Sequence, residues 1–202
     1  KLAQSVRLSN IRRLLVRHGT VVPYATLYRF VALELGQGRR AVTVPVADCE
    51  PGKEIQIDVG WVIRLEPDES GRRRRVRAWI FTPVLSRYRF VYPSDSETTE
   101  SAIEACEAAW DFYGGIFEVV IPYNTKAIVE KADPLGATLN RTFLEYSQSR
   151  GFYVDPARVR RATDKARVER SVRDVRDDCF AGETINTVEQ ARERAVVWCM
   201  EE

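Results

Sequence analysis

Three strand-like stretches joined by connections only a few residues long occupy positions 54–92, and they constrain the fold more than anything else in the chain. In 54–61, Ile55, Ile57 and Val59 alternate with polar or small residues. That is the period of a half-buried strand, and it puts the Asp58 carboxylate on the face opposite the isoleucines. A second stretch, 73–82, follows the turn-forming 67–71, and a third covers 87–92. Short connections make this an antiparallel meander. Trp61, Trp79 and Trp110 read as core residues.

The pattern then changes to helix–strand repeats. Ile103, Cys106, Trp110 and Tyr113 form one stripe of a helix over 97–113, stopped by Gly114 and Gly115. The apolar run 116–121 predicts a central, parallel fourth strand. Short helices are expected at 125–131 and 138–149, a fifth strand near 152–154, and helices at 163–179 and 187–200. The expected fold class is therefore α/β in three layers, with one five-stranded mixed sheet.

Ahead of this lies a helical pair. Ser9 is placed to cap a helix reaching Arg17, with Ile11, Leu14 and Leu15 inward, and Gly19 stops it. Pro23 opens a second helix whose Leu27, Phe30, Val31 and Leu35 form an apolar stripe. Two short helices around a tight turn read either as a plain hairpin or as a helix-turn-helix that turns Ala25, Thr26, Tyr28 and Arg29 toward a DNA groove. Charge favours the second. Residues 1–46 carry eight Lys/Arg against the single acid Glu34, a balance of +7, whereas the whole chain has a net charge of +2. A second basic island, +5, covers 158–176. Such islands suit a polyanion, and 26 of the 31 basic residues are arginine, whose planar fork fits phosphate. The expected organisation is a helix-turn-helix module at 1–38, a linker at 39–53, a core at 54–182 and a C-terminal helix at 183–202.

Cys49, Cys106, Cys179 and Cys199 are widely spaced and His18 is the one histidine, so neither a zinc site nor a disulfide framework is expected. No apolar run approaches the length of a membrane span. A cytoplasmic protein is the expectation.

An acid on a first strand and another, Glu169, on a late basic helix is how a polynucleotidyl transferase holds divalent ions, since hard cations take carboxylate oxygens. The resemblance goes further than that pair. The segments Pro51-Gly52-Lys53-Glu54-Ile55-Gln56-Ile57-Asp58-Val59-Gly60, Ala78-Trp79-Ile80-Phe81, Pro122-Tyr123-Asn124-Thr125-Lys126-Ala127, Asp155-Pro156-Ala157-Arg158 and Asp164-Lys165-Ala166-Arg167-Val168-Glu169 together resemble the IstA-type transposases of bacterial insertion sequences that also encode an AAA+ helper ATPase. The resemblance covers roughly 8–182. It implies a ribonuclease-H-like integrase core and a DDE-type transposase that nicks 3′ ends and transfers strands with two Mg²⁺ or Mn²⁺ ions. It also implies transposon ends and target DNA as partners, together with the helper ATPase, a homo-oligomer on DNA, and a nucleoid-associated place in the bacterial cytoplasm. Asp58 matches the first metal-binding acid and Glu169 the third.

Where the family has its second acid, this sequence has Tyr123. A phenol with a pKa near 10 is a poor ligand for magnesium at neutral pH and is bulkier than a carboxylate. Asp133 lies ten residues further on. Either this copy is decayed, or it was altered deliberately, or metal is held by two carboxylates and works poorly; the alternative is a non-catalytic DNA-binding regulator or structural subunit of a transposition complex. On the basic helix, Arg161, Lys165 and Arg170 are candidate DNA-backbone contacts, against the alternative of a salt-bridged surface helix pairing Lys165 with Glu169. The run Arg72–Arg75 falls at a hairpin tip, solvated or against phosphate. Asn124 is placed to orient the site or to form a turn.

Overall fold

The computed structural model describes residues 8–34, 49–123, 125–131, 137–156 and 171–201. Strands β1 (Glu54–Arg64), β2 (Arg75–Pro83) and β3 (Phe90–Ser94) form the antiparallel meander. After helix α3 (Thr99–Tyr113), strand β4 (Val119–Pro122) returns parallel to β1. A separate two-stranded sheet joins β5 (Val129–Lys131) to β6 (Thr138–Leu139). Helix α4 (Arg141–Arg150) then leads to β7 (Tyr153–Val154), parallel to β4. The main sheet runs β3-β2-β1-β4-β7, the five-stranded mixed sheet expected of a ribonuclease-H-like core.

The order explains one departure from expectation. β1 is central, so Ile55, Gln56, Ile57 and Asp58 are all buried and the strand is covered on both faces rather than half-buried. On one face lies α3, where Trp110 meets Phe81 edge-on at 6.2 Å between ring centroids and Phe112 stacks on Phe90 at 4.8 Å. Helix α3 starts at a capping box between Thr98 and Ser101 and ends at Gly114, whose φ of 69° is the left-handed turn that glycine makes without strain. On the other face lie a helical turn at 171–174, the π-helix Val175–Phe180 that continues it, and α5 (Val188–Glu201). Trp198 of α5 is fully buried and its Nε1 donates to Asp178 at 3.1 Å. Truncating an aromatic so enclosed costs about 3–5 kcal/mol.

Local departures have local causes. β3 starts three residues late because the chain turns at 84–86 and Arg87 adopts φ 62°. No helix forms over 125–131: Thr125 accepts backbone bonds from Ile128 and Val129, and the turn feeds β5 instead. α4 begins only at Arg141, capped by the Asn140 side chain. Trp79 and Trp110 are core residues, but Trp61 is 42 % exposed. Of the expected helix at 163–179, residues 163–170 lie outside those described, as do 39–48 of the linker.

Helices α1 (Leu8–Arg17) and α2 (Tyr24–Glu34) form the helical pair. Ser9 is not a cap. Its hydroxyl donates to Asp178 at 2.7 Å, while Asn10, wholly buried, donates to the Ala181 carbonyl at 2.9 Å. Arg13 pairs with Asp178 and Glu201, and Arg17 with Glu183. α1 is thus docked on the C-terminal segment by its polar side, and two of the arginines behind its basic charge are spent inside the molecule. In α2, Leu27 and Val31 are buried as expected, whereas Phe30 is 59 % exposed.

Candidate active site

The site is built on β1. Pairing of Ile57 with Pro122 and a 2.8 Å hydrogen bond from the Tyr123 N–H to the Ile57 carbonyl set Tyr123 alongside Asp58 in the parallel register. The residue in the second-acid position is therefore the immediate neighbour of the first acid across the ladder, and it is half-buried.

Asp58 is 9 % exposed. Oδ1 accepts the Val59 backbone N–H at 2.9 Å and Oδ2 accepts the Ser171 hydroxyl at 3.0 Å. Burial penalises the charged form and outweighs those two hydrogen bonds, so the carboxyl is pushed up to about 6. Ser171 reaches it because β1 has no side chain at Gly60. A Cβ there would lie 2.7 Å and 2.9 Å from the two γ-carbons of Val172. Glycine lets the 171–174 turn settle on the strand.

Ser171 is two positions after Glu169, so the chain arrives at Asp58 directly after the third expected acid. Sequence reasoning missed Ser171. Its place beside Val172 and four residues before Val175, on the buried stripe of that helix, was the available signal. Glu169, Arg161, Lys165, Arg170, Asn124 and Asp133 lie outside the described residues. Thr26, Tyr28 and Arg29 are exposed on α2, alongside exposed Tyr24, Phe30 and Leu33, so that surface is more apolar than basic. Beyond Asp58, β1 and the π-helix enclose a cleft of about 620 Å³ lined by Arg64, Arg173, Arg176 and Asp177, with Asp177 paired to both helix arginines.

Among the described residues no group of three His, Cys, Asp or Glu side chains could hold a metal. Asp58 is one carboxylate that accepts a hydroxyl, with Tyr123 rather than an acid next to it on the neighbouring strand, and this donor set does not by itself fit a two-ion centre. The four cysteines are free thiols, and no helix among the described residues is long and apolar enough to cross a membrane.

A central strand with a buried acid at its middle, flanked by an antiparallel and a parallel neighbour, defines the class as an α/β fold on a five-stranded mixed sheet. No protein-family profile matches the chain. It is 33 % identical over 196 residues to a protein of Mycobacterium tuberculosis named a "putative transposase", covering 94 % of this chain and 47 % of that protein. It is 29 % identical over 133 residues to the transposase of insertion sequence IS21 from Pseudomonas aeruginosa, covering 66 % and 33 %. The same identity and length relate it to the IS640 transposase of Shigella sonnei, covering 66 % and 41 %. The chain thus spans about half, or less, of these curated relatives, two of which are named as transposases of insertion sequence elements. Among solved structures, it is similar to the HTLV-2 integrase catalytic core in its magnesium-bound trimeric form, with a TM-score of 0.44 and 15 % identity over 74 % of this chain and 86 % of that one.

Proposed function

We propose that this chain is the core portion of an IstA-type insertion-sequence transposase, a DDE-type polynucleotidyl transferase by descent whose own chemistry is disabled or weak. The observation that carries the reading is the buried Asp58 carboxylate with Tyr123 beside it in register. Asp58 and Glu169 are the acids that would hold Mg²⁺ or Mn²⁺. If bound, such ions would supply Lewis-acid polarisation of phosphate oxygens. This chain's residues do less. Ser171 and Val59 fix the orientation of Asp58, and Tyr123 stands at the position where the resemblance puts a second anionic ligand.

The partners in this reading are transposon ends and target DNA, the AAA+ helper ATPase, and further copies of the chain on DNA, in the bacterial cytoplasm. Thr26, Tyr28 and Arg29 supply sequence preference from α2; Arg161, Lys165 and Arg170 supply phosphate contacts. Tyr123 also favours a second reading, a structural subunit that holds DNA without cutting it. Fluorescence anisotropy with duplex DNA across a salt series tests the shared premise. Affinity should fall steeply with salt, and Lys165→Ala should flatten the slope by about one unit. Affinity indifferent to salt would remove the nucleic-acid reading altogether.

A further inference from the structure

Four tryptophans occur in the chain. Trp79, Trp110 and Trp198 are 0 %, 5 % and 0 % exposed, and Trp61 is 42 % exposed even with two arginines lying against it. Trp61 stands directly opposite Arg77 across the β1–β2 ladder, with the Arg77 guanidinium 4.2 Å from the ring centroid and that of Arg75 at 5.8 Å. Arg77 is anchored by an ion pair to Glu97, and Glu97 accepts the Thr125 hydroxyl at 3.1 Å. The aromatic–cation pair is therefore tied to the segment two residues past Tyr123.

Trp61 is three residues beyond Asp58 on the same strand, about 10 Å at 3.3 Å per residue, on the opposite face. Its surroundings carry uncompensated charge. Arg64 and Arg75 stand opposite each other in register, and neither forms an ion pair with an acid among the described residues. Like charges directly opposed on a ladder are destabilising, and a bound anion relieves them. An exposed indole calls for a flat apolar face, and the arginines beside it call for phosphate.

We propose that Trp61, Arg75 and Arg77 form a platform for an unpaired stretch of a DNA strand, one base stacking on the indole that Arg77 holds in place while a neighbouring phosphate takes the Arg75 charge. The proposal rests on the DNA-processing reading above and names the state of DNA that the site's far side accepts. Duplex offers no free base face except at its ends, so the platform discriminates for the single strand.

The test titrates the 202-residue chain with an oligodeoxythymidine strand of about twenty nucleotides and, separately, with a duplex closed at both ends by hairpins. Single strand should quench tryptophan fluorescence, since Trp61 is the exposed indole; the closed duplex should bind without that quench. Trp61→Ala should lose about tenfold or more in single-strand affinity and stay within about twofold for duplex, and Trp61→Phe should recover most of the loss. Arg75→Ala should lower the salt slope for the single strand by about 0.7. If Trp61→Ala fails to fold by circular dichroism, Trp61→Leu, apolar but without a π face, serves the same comparison. Binding without quenching, or single-strand affinity unchanged by losing the ring, overturns the platform and leaves the transposase reading standing. No binding to either DNA overturns both.

Discussion

The Ser171 hydroxyl closes on Asp58 Oδ2 at 3.0 Å from 113 positions away, joining the central strand to the start of the C-terminal helical segment. The bond orients a carboxylate that the sheet has already stripped of water. Asp58 therefore carries a desolvation cost that its two hydrogen bonds do not offset, and residues that carry such a cost cluster at functional sites.

Asp58→Asn should stabilise the fold at neutral pH. The folded carboxyl titrates at about 6 against about 4 unfolded, so the native state binds more protons in that window and stability falls as pH rises from about 4 to about 6. The amide oxygen accepts the Val59 N–H, its NH2 donates to the Ser171 hydroxyl oxygen, and there is no charge to desolvate. Urea denaturation should show a gain of about 1–3 kcal/mol at pH 7.5 that vanishes near pH 4. An equal effect at both pH values would mean that the charge is not what costs stability.

Gly60→Ala should destabilise by about 1–3 kcal/mol, because the added carbon meets a β-branched side chain that cannot swing away. Val172→Ala should rescue much of that in the double variant, giving a coupling energy of about 1 kcal/mol or more in a mutant cycle. Strict additivity would show that the helical segment yields rather than clashes.

Asp178→Ala should release α1. Burial pushes this carboxyl up, but hydrogen bonds from Ser9 and Trp198 and the Arg13 guanidinium outweigh burial and hold it below the usual range. The contribution is thus present at neutral pH and lost as acid protonates the group. Removing the acid leaves a buried donor set unpaired, a loss of about 3–5 kcal/mol. Hydrogen exchange should show 8–17 losing protection before the sheet does; uniform loss across the molecule would contradict a separately docked helix.

Tyr123→Asp should raise manganese affinity by calorimetry at least tenfold, by supplying a second carboxylate beside Asp58, in the register position that Tyr123 holds. Unchanged affinity would place the second ligand elsewhere on the chain. Magnesium-dependent strand joining by the unmodified protein would show that the phenol is harmless.

The meander was legible because alternation and turn residues are local: 54–64 and 75–83 follow from Ile55, Ile57, Val59 and the 67–71 turn. What surrounds a strand is not local. That β1 is covered on both faces depends on β4 and Ser171 arriving from far along the chain, and Trp61 read as core because nothing nearby marks where α3 stops covering the sheet. The 125–131 segment read as helix because its pairing with 138–139 spans a gap that no periodicity crosses. Asp58 was found by pattern, and Tyr123 only through resemblance. The polar docking of Ser9 and Asn10 left no signal, since hydroxyl and amide residues at a helix start ordinarily act as caps.

That docking fixes an order of events during synthesis. Ser9 and its partner Asp178 are 169 positions apart, so at bacterial elongation rates of about 5–20 residues per second the first helix waits on the order of ten seconds before the group that holds it leaves the ribosome. The sheet's meander can close in that interval; the helical pair cannot seat. A nascent chain stalled anywhere before residue 178 presents an arginine-bearing segment, too short to hold a helix alone, to whatever polyanion is nearest, and ribosomal RNA is the polyanion closest at hand.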